Sequence, residues 1–325
     1  MKILILADGN LQIGMGHVYR TLNLAKRLHS DHNVIFLTKQ SASYKFFKKK
    51  YKTFFVKKKT NTRKILEIIH PDLIIIDKLT EDEKILDDVS AFHKNILSID
   101  YIGKNRKKIN YGITMLYPQT GFSSNKKYSG LQYALINKNF VKNKIKKLKK
   151  QVNSILITQG GSDTHCFTPK IIHSLNLIKQ ELKITVIAGP AFSCWNELNY
   201  AINNSIHKIH VLHNVKNMSR IFKKQDIAIT AGGMTLLELA CVGTPSIIVC
   251  GEKFEVETAK LLERHGFGIN LGFGNKVTQK TIAKSVDNLI KNHNIRNRMK
   301  LRGQKIIDGN GIDRIVAIIE SIKTR

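Results

Sequence analysis

A histidine in a glycine-rich turn is the first group in this sequence that could do chemistry. His17 follows Gly14 and Gly16, shortly after the apolar run KILILA at 2–7. Glycine lets the backbone approach a ligand, and a helix starting near His17 would point its N–H groups and positive dipole end at the same place. The spacing alone leaves a helix cap and an active-site turn equally open. A dinucleotide fingerprint is excluded, because Tyr19 stands where that motif needs its third glycine.

A second turn carries a diglycine and three small polar residues. Gly160 and Gly161 follow the apolar run SILIT and precede Ser162, Asp163 and Thr164. Successive backbone donors with nearby hydroxyls suit a phosphate or a sugar hydroxyl. The same side chains are also typical N-caps, so the sequence leaves a role in capping the next helix open.

A third turn, Gly232-Gly233, stands between an apolar run and a helical stretch that begins at Met234. This arrangement predicts a helix N-terminus at the end of a strand, where anions bind. Thr235 and Glu238 lie three residues apart and therefore share one helix face. The Glu238 carboxylate could accept both hydroxyls of a ribose. Two diglycine turns in one half and a histidine turn in the other predict a nucleotide-sugar enzyme.

The elements that must position these turns alternate along the chain. Continuous apolar runs predict strands covered on both faces, and amphipathic stretches such as 21–29 and 234–242 predict helices between them. The predicted strands are 2–7, 33–38, 72–77, 95–100, 154–158, 183–188, 208–213, 226–230 and 245–250. This order indicates a doubly wound α/β architecture.

A lysine-dense stretch at 137–153 interrupts the alternation. It predicts an interdomain connection, with a short basic helix and a flexible linker both open. We therefore expect two Rossmann-like domains, 1–145 on the sugar side with the His17 turn and 152–325 on the nucleotide side, facing a central cleft. Ligands of such sheets bind outside the carboxyl ends of the strands.

These motifs together resemble the MurG-like GT-B superfamily. Within it the sequence is most similar to the UDP-sugar hydrolases of pseudaminic acid synthesis, which remove UDP from 2,4-diacetamido-2,4,6-trideoxy-β-L-altropyranose, and to the spore-coat polysaccharide group of predicted glycosyltransferases. The matching pieces are A-D with Q-I-G-M-G-H-V-Y-R-T-L-N-L-A (7–25), Y-A-L-I with Phe140 (133–140), Q-G-G-S-D (159–163), N-M (217–218), and A-G-G-M-T-L-L-E with V-G-T-P-S (231–246).

The resemblance implies a GT-B fold in which the C-terminal domain holds UDP. Gly160, Gly161, Ser162 and Asp163 would lie at the phosphate and sugar side, and Gly232, Gly233, Met234 and Thr235 at the diphosphate. Glu238 would bind the ribose, and the backbone near Leu212 and His213 would read uracil.

The resemblance also implies a catalytic role for His17, facing the anomeric carbon, where it would orient or deprotonate water as a base near neutral pH. Asp8 would hold the imidazole or a sugar hydroxyl. The main hypothesis is a metal-independent hydrolase that removes UDP from a UDP-linked acetamido sugar for nonulosonic acid or surface polysaccharide biosynthesis. The alternative is a MurG-like glycosyltransferase with a UDP-amino sugar donor.

The chain departs from these hydrolases at three places. Leu6 replaces an arginine, Lys78-Leu79 replace a His-Tyr pair expected beside the sugar, and Phe254-Glu255 replace Asn-Gln. The part of the pattern that binds UDP is better preserved than the part that contacts the sugar.

Composition limits the remaining possibilities. The 54 Lys and Arg residues against 24 Asp and Glu residues give a formal charge of +30. This charge is typical of a solvated basic surface, and it leaves open an anionic ligand and a peripheral contact with an anionic membrane. No nucleic-acid-binding signature accompanies that charge, so we expect no specific nucleic acid partner. No export signal precedes the first strand, which predicts a cytoplasmic protein, expected to be a monomer without metal or other cofactor. The four cysteines predict reduced thiols over the alternative of a disulfide.

Overall fold

The structure, a computed structural model, describes residues 1–10, 14–56, 62–77, 83–101, 103, 105–116, 126–213 and 215–322. The chain divides into two compact units, which are described separately. Unit 1 comprises Met1–Asn137 with Gly309–Arg325, and unit 2 comprises Lys138–Asp308. Among the described residues, no helix is long and apolar enough to cross a membrane.

Unit 1 is built on a parallel seven-stranded sheet in the order β3-β2-β1-β4-β5-β6-β7. Its strands are β1 (Lys2–Ala7), β2 (Asn33–Thr38), β3 (Lys52–Phe55), β4 (Leu73–Asp77), β5 (Ile96–Ile99), β6 (Tyr111–Thr114) and β7 (Lys127–Ser129). Its first helices are α1 (Gly16–Leu28), α2 (Ser41–Phe47), α3 (Thr62–Ile69) and α4 (Glu83–Phe92), with short 3-10 turns at Arg106–Lys108 and Leu131–Tyr133. The strand order reverses between β1 and β4, which makes their carboxyl ends the place where such a sheet binds ligands.

Unit 2 repeats this plan with a parallel six-stranded sheet in the order β10-β9-β8-β11-β12-β13. Its strands are β8 (Ser154–Thr158), β9 (Lys183–Ala188), β10 (Lys208–His213), β11 (Ile227–Thr230), β12 (Ser246–Cys250) and β13 (Ile269–Phe273). Its helices are α5 (Lys138–Lys142), α6 (Phe167–Leu175), α7 (Trp195–Asn203), α8 (Met218–Lys224), α9 (Met234–Val242), α10 (Glu255–Arg264), α11 (Gln279–Lys291) and α12 (His293–Ile306), with a 3-10 turn at Gly274–Lys276. The order reverses between β8 and β11, the strands that precede the two diglycine turns.

The central strands of both units are almost wholly apolar and buried. The β1 residues Ile3 to Ala7 expose none of their surface, and all five residues of β4 and of β12 are buried. Helices cover such parallel sheets on both faces, which removes the alternation seen in half-exposed strands. This confirms the predicted doubly wound α/β class.

The lysine-dense stretch predicted as a linker belongs to unit 2 and is held by side chains of α12. The Arg296 guanidinium, 1% exposed, donates to the carbonyl oxygens of Lys149 (3.1 Å) and Lys150 (2.6 Å). Lys300 donates to the Lys146 carbonyl at 3.0 Å. These hydrogen bonds fix the backbone of the stretch, because burying a cation or a carbonyl group without a partner costs free energy. Only Lys138–Lys142 is helical, so the flexible-linker alternative is wrong for this stretch.

The last helix, α13 (Gly311–Glu320), packs with unit 1, whereas the predicted second domain extended to residue 325. Its apolar face, which includes Ile312, Ile315 and Ile319, is buried. A Cβ on Gly311 would lie 2.2 Å from the Ala134 carbonyl oxygen, so this close approach requires glycine. The observed division therefore differs from the predicted bounds 1–145 and 152–325.

Candidate active site

The His17 turn lies at the carboxyl edge of β1, where the sheet of unit 1 reverses its order. Helix α1 begins at Gly16, close to the start that the sequence predicted near His17, so His17 stands in its first turn. Gly14 has a φ of +80°, and a Cβ there would meet nothing within 4 Å. A left-handed backbone facing open space favours glycine and permits close approach of a ligand.

Asp77 is the carboxylate that contacts His17. It ends β4 opposite Ala7 of β1, and its Oδ1 lies 2.6 Å from Nδ1 of the His17 ring. Arg20, one helical turn beyond His17, donates from Nε to Asp77 Oδ2 at 2.7 Å and from Nη2 to Asp77 Oδ1. All three side chains are buried, with exposures of 7% for His17, 2% for Arg20 and 0% for Asp77.

Asp100 completes the array from the end of β5. Its Oδ2 accepts from Arg20 Nη1 at 2.9 Å, and its Oδ1 accepts from the backbone N–H groups of Met115 (2.7 Å) and Leu116 (3.0 Å). Each of the three guanidinium nitrogens of the buried Arg20 thus donates to a carboxylate oxygen at the carboxyl edge of the sheet. Such bidentate pairs fix geometry as well as charge.

Electrostatics keep Asp77 ionised. Burial by itself would raise the pKa of Asp77, but the charges of Arg20 and His17 and their hydrogen bonds outweigh it and lower the pKa below its usual range. An ionised carboxylate only accepts hydrogen bonds, so the 2.6 Å contact places a proton on Nδ1 of His17. The other ring nitrogen, Nε2, is then the group that can accept a proton.

Asp8, predicted beside His17, is tied to the end of β2. Its Oδ1 accepts from the Thr38 hydroxyl at 2.6 Å and from the Lys39 N–H at 2.8 Å, and the residue is 8% exposed. Its assignment to the imidazole or a sugar hydroxyl stays a prediction. The Lys78-Leu79 replacement lies outside the described residues.

In unit 2, the Gly160 turn follows β8 with its backbone open. A Cβ at Gly160, where φ is +75°, or at Gly161 would meet nothing within 4 Å. Asp163, by contrast, binds the amino end of α6. Its two carboxylate oxygens accept hydrogen bonds from the N–H groups of Phe167 and Thr168, at 2.8 Å each. In this structure its carboxylate performs the capping role that the sequence left open.

Cys166 and Cys194 form a disulfide between the residues that immediately precede α6 and α7. The expectation of four reduced thiols is therefore wrong for these two, while Cys241 and Cys250 are free and buried. Twenty-eight positions separate the pair, a distance that the local spacing of the cysteines does not reveal. The bond fastens the Gly160 turn to the start of α7.

The Gly232 turn leads from β11 into α9, as predicted. The N–H groups of Gly233, Met234 and Thr235 lie in the first turn, where an α-helix offers them no acceptor of its own. Glu238 is half-buried, and no described residue donates a hydrogen bond to its carboxylate. Burial raises the pKa of Glu238 to about 8.

The Gly232 N–H has a partner that the sequence did not indicate. It donates to Oε2 of Glu255, the first residue of α10, at 3.2 Å. A Cβ on Gly232 would also lie 2.8 Å from the Glu255 Cβ, so this glycine allows the two segments to pack. Gly232 therefore differs from Gly14, Gly160 and Gly161, where a Cβ would meet nothing within 4 Å.

Leu212 and His213 end β10, the edge strand of the sheet in unit 2. One row of backbone groups on an edge strand points away from the sheet. Trp195 lies beside them, with its ring centroid 5.5 Å from that of His213. This placement is compatible with the predicted uracil contact, which stays a prediction.

Sequence reasoning missed Asp77, Arg20, Asp100 and Glu255 as candidate site residues. Arg20 had a usable signal, because it stands three residues after His17 on the same helix. Asp77 ended a predicted strand, but only the β1 and β4 pairing brings it to His17. Across the described residues, no group of three or more His, Cys, Asp or Glu side chains is placed to hold a metal ion.

Comparisons with known proteins agree with this architecture. Residues 138–309, more than half of the chain, match the glycosyltransferase family 28 C-terminal domain and coincide closely with unit 2. The spore coat polysaccharide biosynthesis protein SpsG of Bacillus subtilis is 25% identical over 340 residues, which cover 99% of this chain and 98% of that protein.

Uncharacterized protein MJ1062 of Methanocaldococcus jannaschii is 30% identical over 278 residues, which cover 79% of this chain. The match spans 57% of that relative's length. The crystal structure of MurG from Acinetobacter baumannii superposes with a TM-score of 0.76 at 15% identity, over 99% of both chains. A likeness at this identity shows the fold, and it confirms the predicted GT-B class.

Proposed function

The chain belongs to the glycosyltransferase family 28 C-terminal domain family, and on this premise we propose that it transfers an amino sugar from a UDP-linked donor to an acceptor hydroxyl. The observation that carries the proposal is the buried Asp77-His17 pair at the carboxyl edge of unit 1. It supplies an oriented base next to glycine backbone that a ligand can approach.

The base step needs only residues of unit 1. Asp77 accepts a hydrogen bond from Nδ1–H of His17 and holds the ring. Nε2 of His17 then takes the proton of the acceptor hydroxyl while the hydroxyl oxygen attacks the anomeric carbon. Arg20 keeps the Asp77 carboxylate in place and ionised. The proton stays on His17, because the lowered pKa of Asp77 disfavours its transfer to the carboxylate.

The nucleotide would bind to unit 2. The first turn of α9 offers N–H groups and a positive dipole end, which stabilise the negative charge that develops on the leaving diphosphate. The Glu238 carboxylate, which has no donor among the described residues, would accept the ribose hydroxyls. Its raised pKa is consistent with a group that gains its hydrogen bonds only when a ligand arrives.

An exposed aromatic pair on unit 1 supports an acceptor held at a membrane. Tyr19 is 50% and Phe46 is 40% exposed, and their ring centroids lie 5.9 Å apart. Lys45, Lys48 and Lys49 surround Phe46 on α2 and the turn after it, all exposed. Aromatic rings flanked by lysines favour an anionic bilayer surface, where each cation contributes about 1 kcal/mol.

Hydrolysis is the second candidate, and one observation favours it. His17 is only 7% exposed, and water is the smallest nucleophile that could reach such a base. The chemistry is otherwise the same, with water in place of the acceptor hydroxyl. The product would then be the free amino sugar, as in the UDP-sugar hydrolases that the sequence resembles.

Incubation of the protein with UDP-N-acetylglucosamine and UDP-diacetamido sugars, with and without a lipid-linked sugar acceptor, tests the proposal. UDP release that requires the acceptor supports transfer, and prompt release without it supports hydrolysis. His17→Asn should abolish turnover in either case and leave UDP affinity nearly unchanged. The exposed His29→Asn at the other end of α1 is the matched control. Turnover of the His17 variant within a few-fold of the wild type would contradict the assigned base.

A further inference from the structure

Glu255 places a carboxylate beside the amino end of α9, next to the turn that leads into this helix. Its Oε2 accepts from the N–H groups of Gly232 (3.2 Å), Gly251 (2.8 Å) and Glu252 (3.2 Å). Its Oε1 lies where a Cβ on Gly233 would be only 3.1 Å away. The chain's own anion therefore lies at the helix terminus that would otherwise accept an anion from solution.

Two further polar groups near this terminus lack partners. Thr230 ends β11 immediately before the Gly232 turn, and its buried Oγ1 has no hydrogen-bond partner among the described residues. Gln159 follows the neighbouring strand β8, and both polar atoms of its buried amide are likewise unpartnered in the described part of the chain. Buried polar groups are rarely left unpaired, so each exception calls for a partner such as a water, an ion or a ligand. Independently of Glu255, they indicate that the carboxyl edge of unit 2 receives a ligand.

We propose that Glu255 and the diphosphate of the nucleotide compete for the amino end of α9, so that the nucleotide binds with uptake of one proton by Glu255. The inference rests on the proposed UDP site in unit 2. It adds a proton-linked control of donor affinity to that site, and it assigns the control to one residue.

The charges that face Glu255 favour this coupling. Burial raises the pKa of Glu255, its three backbone hydrogen bonds lower it, the Glu252 charge raises it again, and the net shift is upward. Cys250 on β12 also faces Glu255, and burial together with the nearby carboxylate raises the pKa of its thiol. His165 approaches Glu252 at 3.8 Å from the Gly160 turn. Among the described residues, no lysine or arginine pairs with Glu255.

The direction of the pH effect follows from linkage. Like-charge repulsion from an ionised Glu255 weakens binding of the diphosphate, and protonation of Glu255 removes that repulsion. Because the nucleotide complex then holds one more proton than the free protein, affinity falls as pH rises above the pKa of Glu255. Full coupling to one proton corresponds to about tenfold per pH unit.

The test measures the Kd of UDP-N-acetylglucosamine by calorimetry from pH 5 to pH 9. The diphosphate of this probe is esterified at both ends, so it has no terminal phosphate that titrates near pH 6. For the wild type we expect affinity to fall by up to about tenfold per pH unit above the pKa of Glu255. Titrations in buffers of different ionisation enthalpy should show that one proton is taken up when the probe binds. Glu255→Gln keeps acceptor geometry without charge, and we expect it to remove the slope and to bind more tightly than the wild type at pH 8.

Glu252→Gln is the matched control, since it removes a neighbouring carboxylate that does not contact α9. It should retain a slope like that of the wild type. An unchanged slope and affinity in Glu255→Gln, with melting curves showing that the variant is folded, overturn the inference and leave the UDP site standing. Absence of UDP-sugar binding by both proteins at every pH overturns the proposed site, and the inference with it.

Discussion

Replacement of Asp77 by Asn should uncouple catalysis from nucleotide binding. Asn keeps the shape of the side chain but removes the charge that holds the Nδ1 proton of His17 and both donors of Arg20. Its amide can donate to the ring, which would place the proton on Nε2 and disable the base. UDP affinity depends on unit 2 in the proposed site, so it should change by less than about twofold.

The size of the effect follows from the burial of the array. General base catalysis contributes about 10²- to 10⁴-fold, so turnover should fall by at least about 100-fold. Breaking a buried ion pair costs about 3–5 kcal/mol, and the 2.9 Å pair of Arg20 with Asp100 should keep the loss near 3 kcal/mol. At about 2–4 °C per kcal/mol for a chain of this class, Tm should drop by about 6–12 °C.

The assay combines thermal melting with turnover and UDP titration, both measured about 20 °C below the variant's Tm. Asp72→Asn is the matched control, because Asp72 precedes the same strand at its other end and accepts the Lys2 N–H at 2.6 Å. Its turnover should stay within about threefold of the wild type. Asp77→Asn turnover equally close to the wild type would refute the view that Asp77 orients the base.

Three other changes test the fold and the site. Glu238→Gln should match the wild type in Tm near pH 4 and exceed it at pH 9. Burial raises the pKa of Glu238 to about 8, so the stabilising contribution of its carboxyl group is lost as pH rises through that value. Parallel curves of Tm against pH for the two proteins would contradict this. Breaking the disulfide, by reductant or by Cys166→Ser with Cys194→Ser, should lower the free energy of unfolding by about 3 kcal/mol. Scanning calorimetry should show this as a lower Tm. A Tm that does not change with reductant would contradict the disulfide. Phe46→Glu should weaken binding to phosphatidylglycerol vesicles about tenfold, as measured by co-sedimentation. Tyr200→Glu, which changes an exposed aromatic residue on unit 2, should not weaken it. Equal losses in the two variants would contradict the role of the Tyr19-Phe46 surface.

The fold was largely predictable because the central strands are continuous apolar runs. All nine predicted strands exist, with ends shifted by one residue at most. The strands that were missed are β3, β6, β7 and β13, and three of them lie at sheet edges. Edge strands are covered less completely, as in β13, where every residue is half-buried, so their apolar signal is weaker.

The geometry of the candidate site was predictable where one local turn determines it. Gly14, Gly160 and Gly161 have open backbone, as their residue type suggested. Contacts made by strand pairing were not predictable, and Asp77 reaches His17 across 60 positions of sequence. Glu255 reaches Gly232 across 23 positions by the packing of α10 on the turn. Periodicity describes single elements, whereas these contacts depend on which elements become neighbours.

The position of α13 has a consequence for the order in which the protein is made. The ribosome completes all of Lys138–Asp308 before it synthesises the helix that covers part of α1 in unit 1. At about 5–20 residues per second, this interval lasts roughly 10–30 s. By the end of it, all the strands of unit 2 have been synthesised, while the nascent unit 1 still exposes an apolar surface on α1. A chaperone that recognises apolar helix surfaces would find its binding site in the half that emerged first.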